Sequence, residues 1–194
     1  MKKIVIILVM LFFTAIAANA AGTIATYVID PEKNAYHHNN LGVMYIEEKD
    51  YYAAIQEFKM AISLNPKTQA TATYFNNLGR VYMIIGYPEM ALDCFQNALK
   101  QYPLNFEYYK NLVDCYDKLG KTSSKLSEYK AKKKSSLDKI TLALLYEKSG
   151  DIKKAIFILD EFANAEPDLL ISQAVKMYIQ ELVNSMEEDE DSSL

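Results

Sequence analysis

Two stretches of this chain are copies of one unit, and that repetition constrains the fold more than any other feature. Leu41, Gly42, Tyr45, Ala54, Phe58, Ala61 and Pro66 each lie 37 residues before Leu78, Gly79, Tyr82, Ala91, Phe95, Ala98 and Pro103. Within the second copy, Phe75, Leu78, Gly79 and Tyr82 fall at i, i+3, i+4 and i+7, the spacing of one helical face. Gly86, Tyr87 and Pro88 interrupt that face, as glycine and proline do. Ala91, Phe95 and Ala98 then define a second helical face that stops at Pro103. The unit is therefore two helices and a turn. A glycine or alanine opposite a large aromatic ring lets the two helices approach closely without leaving a void.

A unit with an aromatic residue, Leu-Gly, Tyr, Ala, an aromatic residue, Ala and Pro at set offsets resembles the tetratricopeptide repeat, whose period is 34 residues. The three extra residues of the 37-residue spacing fall in the turn 67–71, and His38 takes the first aromatic place of copy one. Copy three, about 106–135, keeps Tyr109, Leu112 and Tyr116 but carries Val113 where the glycine belongs. Copy four, about 136–169, restores Tyr146, Gly150, Ala155, Leu159, Phe162 and Pro167. Tyr116 and Tyr146 are only 30 residues apart, so copy three is short by about one helical turn, expected in its second helix. With copies one and two at 35–68 and 72–105, the resemblance implies an all-α, right-handed solenoid of antiparallel helix pairs over 31–186. A capping helix at 168–186 closes it, with Ile171, Val175, Tyr178, Ile179, Leu182 and Met186 inward. Ser172, Gln173, Lys176, Gln180 and Glu181 are expected to face water. The acidic run from Glu187 reads as a disordered tail over 187–194.

Residues 1–20 read as a targeting segment: Lys2 and Lys3, an apolar run from Ile4 to Ile16, then Ala18-Asn19-Ala20 as a small-x-small cleavage signal. Cleavage would leave Ala21 first, with a linker over 21–30. The alternative is an uncleaved anchor in the inner membrane, the one route by which this chain would meet a membrane. Either way the repeats are expected in an exported compartment, periplasmic or secreted. Removing Lys2 and Lys3 from 21 basic residues leaves 19 against 25 acidic ones. An acidic chain of this kind is not drawn to nucleic acid.

Little in the sequence points to catalysis or to a cofactor. His37 and His38, the only histidines, are adjacent on a helix and diverge by about 100°, unlike an i, i+4 metal-binding pair. No phosphate-binding glycine loop, Ser/His/Asp set or Cys-x-x-Cys occurs. Catalytic and metal-ligating residues are therefore expected to be none. Cys94 and Cys115 are a candidate disulfide between neighbouring helices, or two buried thiols behaving as small hydrophobes. The stretch 121–139, with seven lysines and only Leu126 and Tyr129 as large apolar residues of its helix, is expected to be the weak point of the array.

The resemblance also implies a concave groove built from the first helix of each copy. Asn40, Asn77 and Asn111 take the groove-facing sixth position, with Asn39 and Asn76 beside the first two. An amide side chain offers an acceptor and two donors, enough to hold a peptide backbone, although asparagine is also habitual at that position whatever the ligand. Tyr36, Val43, Arg80 and Met83 complete the expected groove, which lacks the basic clamp that would hold an acidic C-terminus. The expected function is an exported scaffold binding a peptide or helix of another protein. The alternative is a structural subunit of an envelope assembly, and the sequence leaves the oligomeric state open.

Overall fold

The computed structural model describes residues 30–131 and 135–191. The expected targeting segment and all of its linker except Asp30 lie outside them. Nine helices follow in order among the described residues: α1 (Pro31–Glu47), α2 (Tyr51–Leu64), α3 (Gln69–Ile84), α4 (Pro88–Gln101), α5 (Phe106–Lys118), α6 (Thr122–Ala131), α7 (Asp138–Lys148), α8 (Ile152–Ala165) and α9 (Leu170–Asp191). They pair as α1/α2, α3/α4, α5/α6 and α7/α8, with α9 last. The fold is the expected all-α solenoid.

Local chemistry punctuates it at regular intervals. Each turn within a pair closes with a hydrogen bond from the first residue after the turn back to the carbonyl of the tyrosine that recurs in every copy. These bonds run Asp50 to Tyr45, Tyr87 to Tyr82, Lys121 to Tyr116 and Asp151 to Tyr146, at 2.8–2.9 Å. This six-to-one bond satisfies a carbonyl left over at the helix end and needs a left-handed residue just before the donor. Gly86, Gly120 and Gly150 supply that conformation with φ of 84°, 66° and 90°, whereas copy one forces Lys49 to φ 62°. Asp50 and Asp151 then cap the next helix by accepting from the Ala53 and Lys154 amides. Thr68 and Thr71 form a reciprocal capping box at the start of α3.

Close approach within a pair depends on Gly42 and Gly79. A methyl group on either would lie 2.7 Å from the Phe58 ring or 2.6 Å from the Phe95 ring, far inside van der Waals contact. Both rings are fully buried, as is Phe162 in copy four. Successive copies dock through a recurrent trio: Tyr74 packs on Ala35 and Ala61, and Tyr108 packs on Ala72 and Ala98.

First helices touch in succession, α1 on α3, α3 on α5 and α5 on α7, while among the described residues the second helices α2, α4, α6 and α8 do not approach one another. The array therefore bends with its first helices on the inside. The final helix departs from expectation in two ways. It continues through the acidic run to Asp191, so the tail expected from Glu187 is helical that far; no glycine or proline stops it, and glutamate is a good helix former. Ser172, expected to face water, is buried and donates its hydroxyl to the Glu166 carbonyl. Tyr178 lies on the inward stripe as expected, half-buried against the core.

Candidate functional site

The inner face is built from α1, α3, α5 and α7. On α1, Tyr36, Asn40 and Val43 recur at i, i+4 and i+7 and form an exposed strip, with Tyr36 63% and Val43 38% exposed. On α3, Arg80 is exposed, Ile84 is 52% exposed and Met83 is half-buried. This half of the face offers apolar surface with one guanidinium.

The asparagines play a different part from the one their positions suggest. Asn77 donates its amide to the Asn39 side-chain oxygen at 3.0 Å, and Asn111 donates to that of Asn76 at 2.8 Å. The sixth position of copies two and three thus bonds the fifth position of the copy before it, and the ladder runs between first helices. Asn39, Asn76 and Asn77 are buried at 8%, 5% and 8% exposure, Asn111 is half-buried, and only Asn40 is open to solvent. The expectation of exposed amides awaiting a peptide is corrected for Asn77 and Asn111. At a packed seam each such bond satisfies one donor and one acceptor that burial has withdrawn from water. Thr73 and Tyr108 add a hydroxyl pair between α3 and α5 at 3.0 Å.

At the aromatic place in copy one, His38 replaces ring packing with a polar contact, its Nδ1 2.6 Å from the Glu57 carboxylate. The candidate disulfide is also corrected: Cys94 and Cys115 are both free and buried. The Cys115 thiol donates to the Pro88 carbonyl at 3.1 Å. Burial pushes Cys94 up to about 12 and Cys115 up to about 11, so both stay protonated and unreactive at neutral pH.

The far half of the inner face holds a cluster around a tyrosine expected to belong to the capping helix. Tyr178 of α9 lies with its ring centroid 5.0 Å from that of Phe106, the first residue of α5. Its hydroxyl donates to both carboxylate oxygens of Glu147 on α7, at 2.9 and 2.8 Å. Lys110 sits 5.0 Å over the same ring, and Lys148 pairs with Asp114 at 2.7 Å alongside. Burial, and then the bond to the Glu147 carboxylate, hold the Tyr178 hydroxyl well above the usual phenol range. Helical periodicity put Tyr178 on the apolar stripe of α9 correctly, but nothing in a linear pattern says which helix that stripe meets. No group of three or more metal-ligating side chains occurs among the described residues.

Tetratricopeptide-repeat family models match residues 38–68 and 72–105. The chain is also similar to photosystem I assembly proteins Ycf3 of cyanobacteria. One, from Synechococcus sp. strain CC9311, is 28% identical over 91 residues, covering 47% of this chain and 53% of that protein. Another, from Prochlorococcus marinus strain NATL1A, is 27% identical over 107 residues, covering 55% and 62%. The chain spans about half the length of the curated relatives it matches. Among solved structures it is similar to MamA (22% identity, TM-score 0.48, 71% of this chain and 81% of that one). A tetratricopeptide repeat protein from Parabacteroides merdae ATCC 43184 gives 17% identity and TM-score 0.49 over 82% of this chain and 64% of that one. With the recurring glycine–phenylalanine pairs, the family matches lead to one conclusion: the two copies that carry the open half of the inner face are tetratricopeptide repeats.

Proposed function

We propose that the chain is a protein–protein interaction scaffold that binds an extended or helical segment of another protein along the inner face of copies one and two. The observation that carries this reading is the exposed strip of Tyr36, Asn40 and Val43 on α1, together with exposed Arg80 and Ile84 on the next first helix, α3. Apolar side chains left exposed on an inward-curving surface, beside one cation and one exposed amide, suit a mostly neutral segment with an occasional carboxylate. The curated relatives are named as assembly proteins, which is the same broad role. With the asparagine ladder spent on the seam, affinity would come from these side chains and from Asn40, not from Asn77 or Asn111.

A photo-crosslinking residue at position 36 or 84 tests the reading. Adducts with a partner at those positions, lost in Val43→Asp/Arg80→Glu at unchanged Tm, are expected. Adducts forming only from position 52, 60, 90 or 157 would overturn it. Those positions lie on second helices, where Tyr52, Met60, Met90 and Phe157 are exposed and favour the second reading, an assembly subunit packed through its outer face.

We further propose export with cleavage after Ala20, supported by Lys2, Lys3, the apolar run Ile4–Ile16 and the Ala18-Asn19-Ala20 signal. Protein recovered from its cell should have an intact mass beginning at Ala21. Retention of residues 1–20 would replace this with the anchored alternative. Among the described residues no helix is long and apolar enough to cross a membrane.

A further inference from the structure

Every other first helix in the array stacks on the first helix before it, but α9 does not. It packs on α8 and reaches past α7 to α5. Ile171, Val175 and Leu182 bury it against the core, and one further side chain makes contacts of another kind. Tyr178 meets an aromatic ring (Phe106), a cation over its own ring (Lys110) and a carboxylate that accepts its hydroxyl with both oxygens (Glu147). These three groups come from two different helices and match the three parts of a phenol: edge, face and O–H. Lys148 is held on Asp114, which leaves the Glu147 oxygens to the phenol. A small cavity of about 80 Å³ remains between Lys110, Val113, Leu144, Glu147 and Tyr178.

We propose that Phe106, Lys110 and Glu147 form a recognition subsite for a tyrosine carried on a partner helix, and that in the free chain α9 fills this subsite with Tyr178. The proposal rests on the reading that the inner face binds partners, and it gives that partner a required residue. Tyrosine is selected over phenylalanine, because a phenyl ring would leave the Glu147 carboxylate without its donor. The arrangement also makes α9 a competitor: a partner helix gains the far half of the inner face only by displacing it.

The test uses the full chain and a fluorescein-labelled peptide of residues 170–191. Wild-type protein should bind the peptide weakly, since its own α9 holds the subsite at high effective concentration. Tyr178→Ala protein should bind it about tenfold or more tightly, and a peptide carrying Tyr178→Phe should lose most of that gain. Folded Tyr178→Ala protein that binds no better than wild type would overturn the proposal. If that variant loses its helical circular dichroism, Tyr178→Phe protein replaces it. The ring packing is kept there and only the donor is lost; affinity for the wild-type peptide should still rise, and equality with wild type would overturn the proposal. Gln56→Ala, at an exposed position of α2, should leave peptide affinity unchanged. The peptide assay reads the tyrosine subsite, and the crosslinks at positions 36 and 84 read the copy-one and copy-two groove separately.

Discussion

Copies two and three are adjacent and share the tyrosine and leucine positions of their first helices, yet they are held together differently. In copy two, Gly79 lets α3 rest against the Phe95 ring of α4, and the pair is packed along its length. In copy three, Val113 stands in place of that glycine and α6 has no buried residue at all. The described part of α6 meets α5 over a short stretch and leans more on α7. Leu126 and Tyr129 are its only large apolar residues, both partly buried. A cleft of about 340 Å³ lies between copies two, three and four, lined by Leu99, Tyr109, Tyr116, Tyr129 and Leu137. The difference teaches that the first helices carry the array. Copy three keeps its place because Tyr108 docks on Ala72 and Ala98, and Asn111 bonds Asn76, before its own second helix contributes anything.

The strongest way to break this comparison is Phe95→Ala, which should lower stability by about 3–5 kcal/mol in urea denaturation because the cavity sits between two rigid helices. A loss below about 1 kcal/mol would mean the glycine–phenylalanine pairs are not what holds copies one and two. Amide exchange sharpens the contrast. Amides of α6 should exchange through openings costing a small part of the global unfolding free energy, while those of α2 and α4 need nearly all of it; equal protection would erase the distinction. Gly79→Ala should cost about 1–3 kcal/mol by pressing a methyl group into the Phe95 ring, and Phe95→Leu in the same chain should recover part of that loss.

Asn77→Ala should destabilise by about 1–2 kcal/mol, since it leaves the buried Asn39 oxygen without its donor. No loss would return the asparagines to a ligand-binding role. The smallest effect is expected at Lys49, the one described non-glycine residue in a left-handed turn. Lys49→Gly should raise Tm slightly, worth at most about 1 kcal/mol, because the relief of steric strain is partly offset by glycine's greater freedom in the unfolded chain. The same substitution at copies two to four is already present as Gly86, Gly120 and Gly150.

Repetition carried most of the fold into the sequence. The 37-residue offset places Gly42 against Phe58 and Gly79 against Phe95, since helical spacing and residue size are local quantities that each copy states for itself. The all-α class, the helix pairs, the thin apolar face of α6 and the strip of Tyr36, Asn40 and Val43 were legible for that reason. Tertiary structure decided what meets what between copies. Position alone put Asn77 and Asn111 on the groove side, but only the stacking of α3 on α1 and of α5 on α3 turned their amides onto Asn39 and Asn76. The same holds for Tyr178. Its place on the apolar stripe of α9 was readable, but its partners Phe106 and Glu147 lie 72 and 31 residues away, brought close by the accumulated curvature of the array. Curvature is a sum of small packing angles over every pair, so no single copy's sequence contains it.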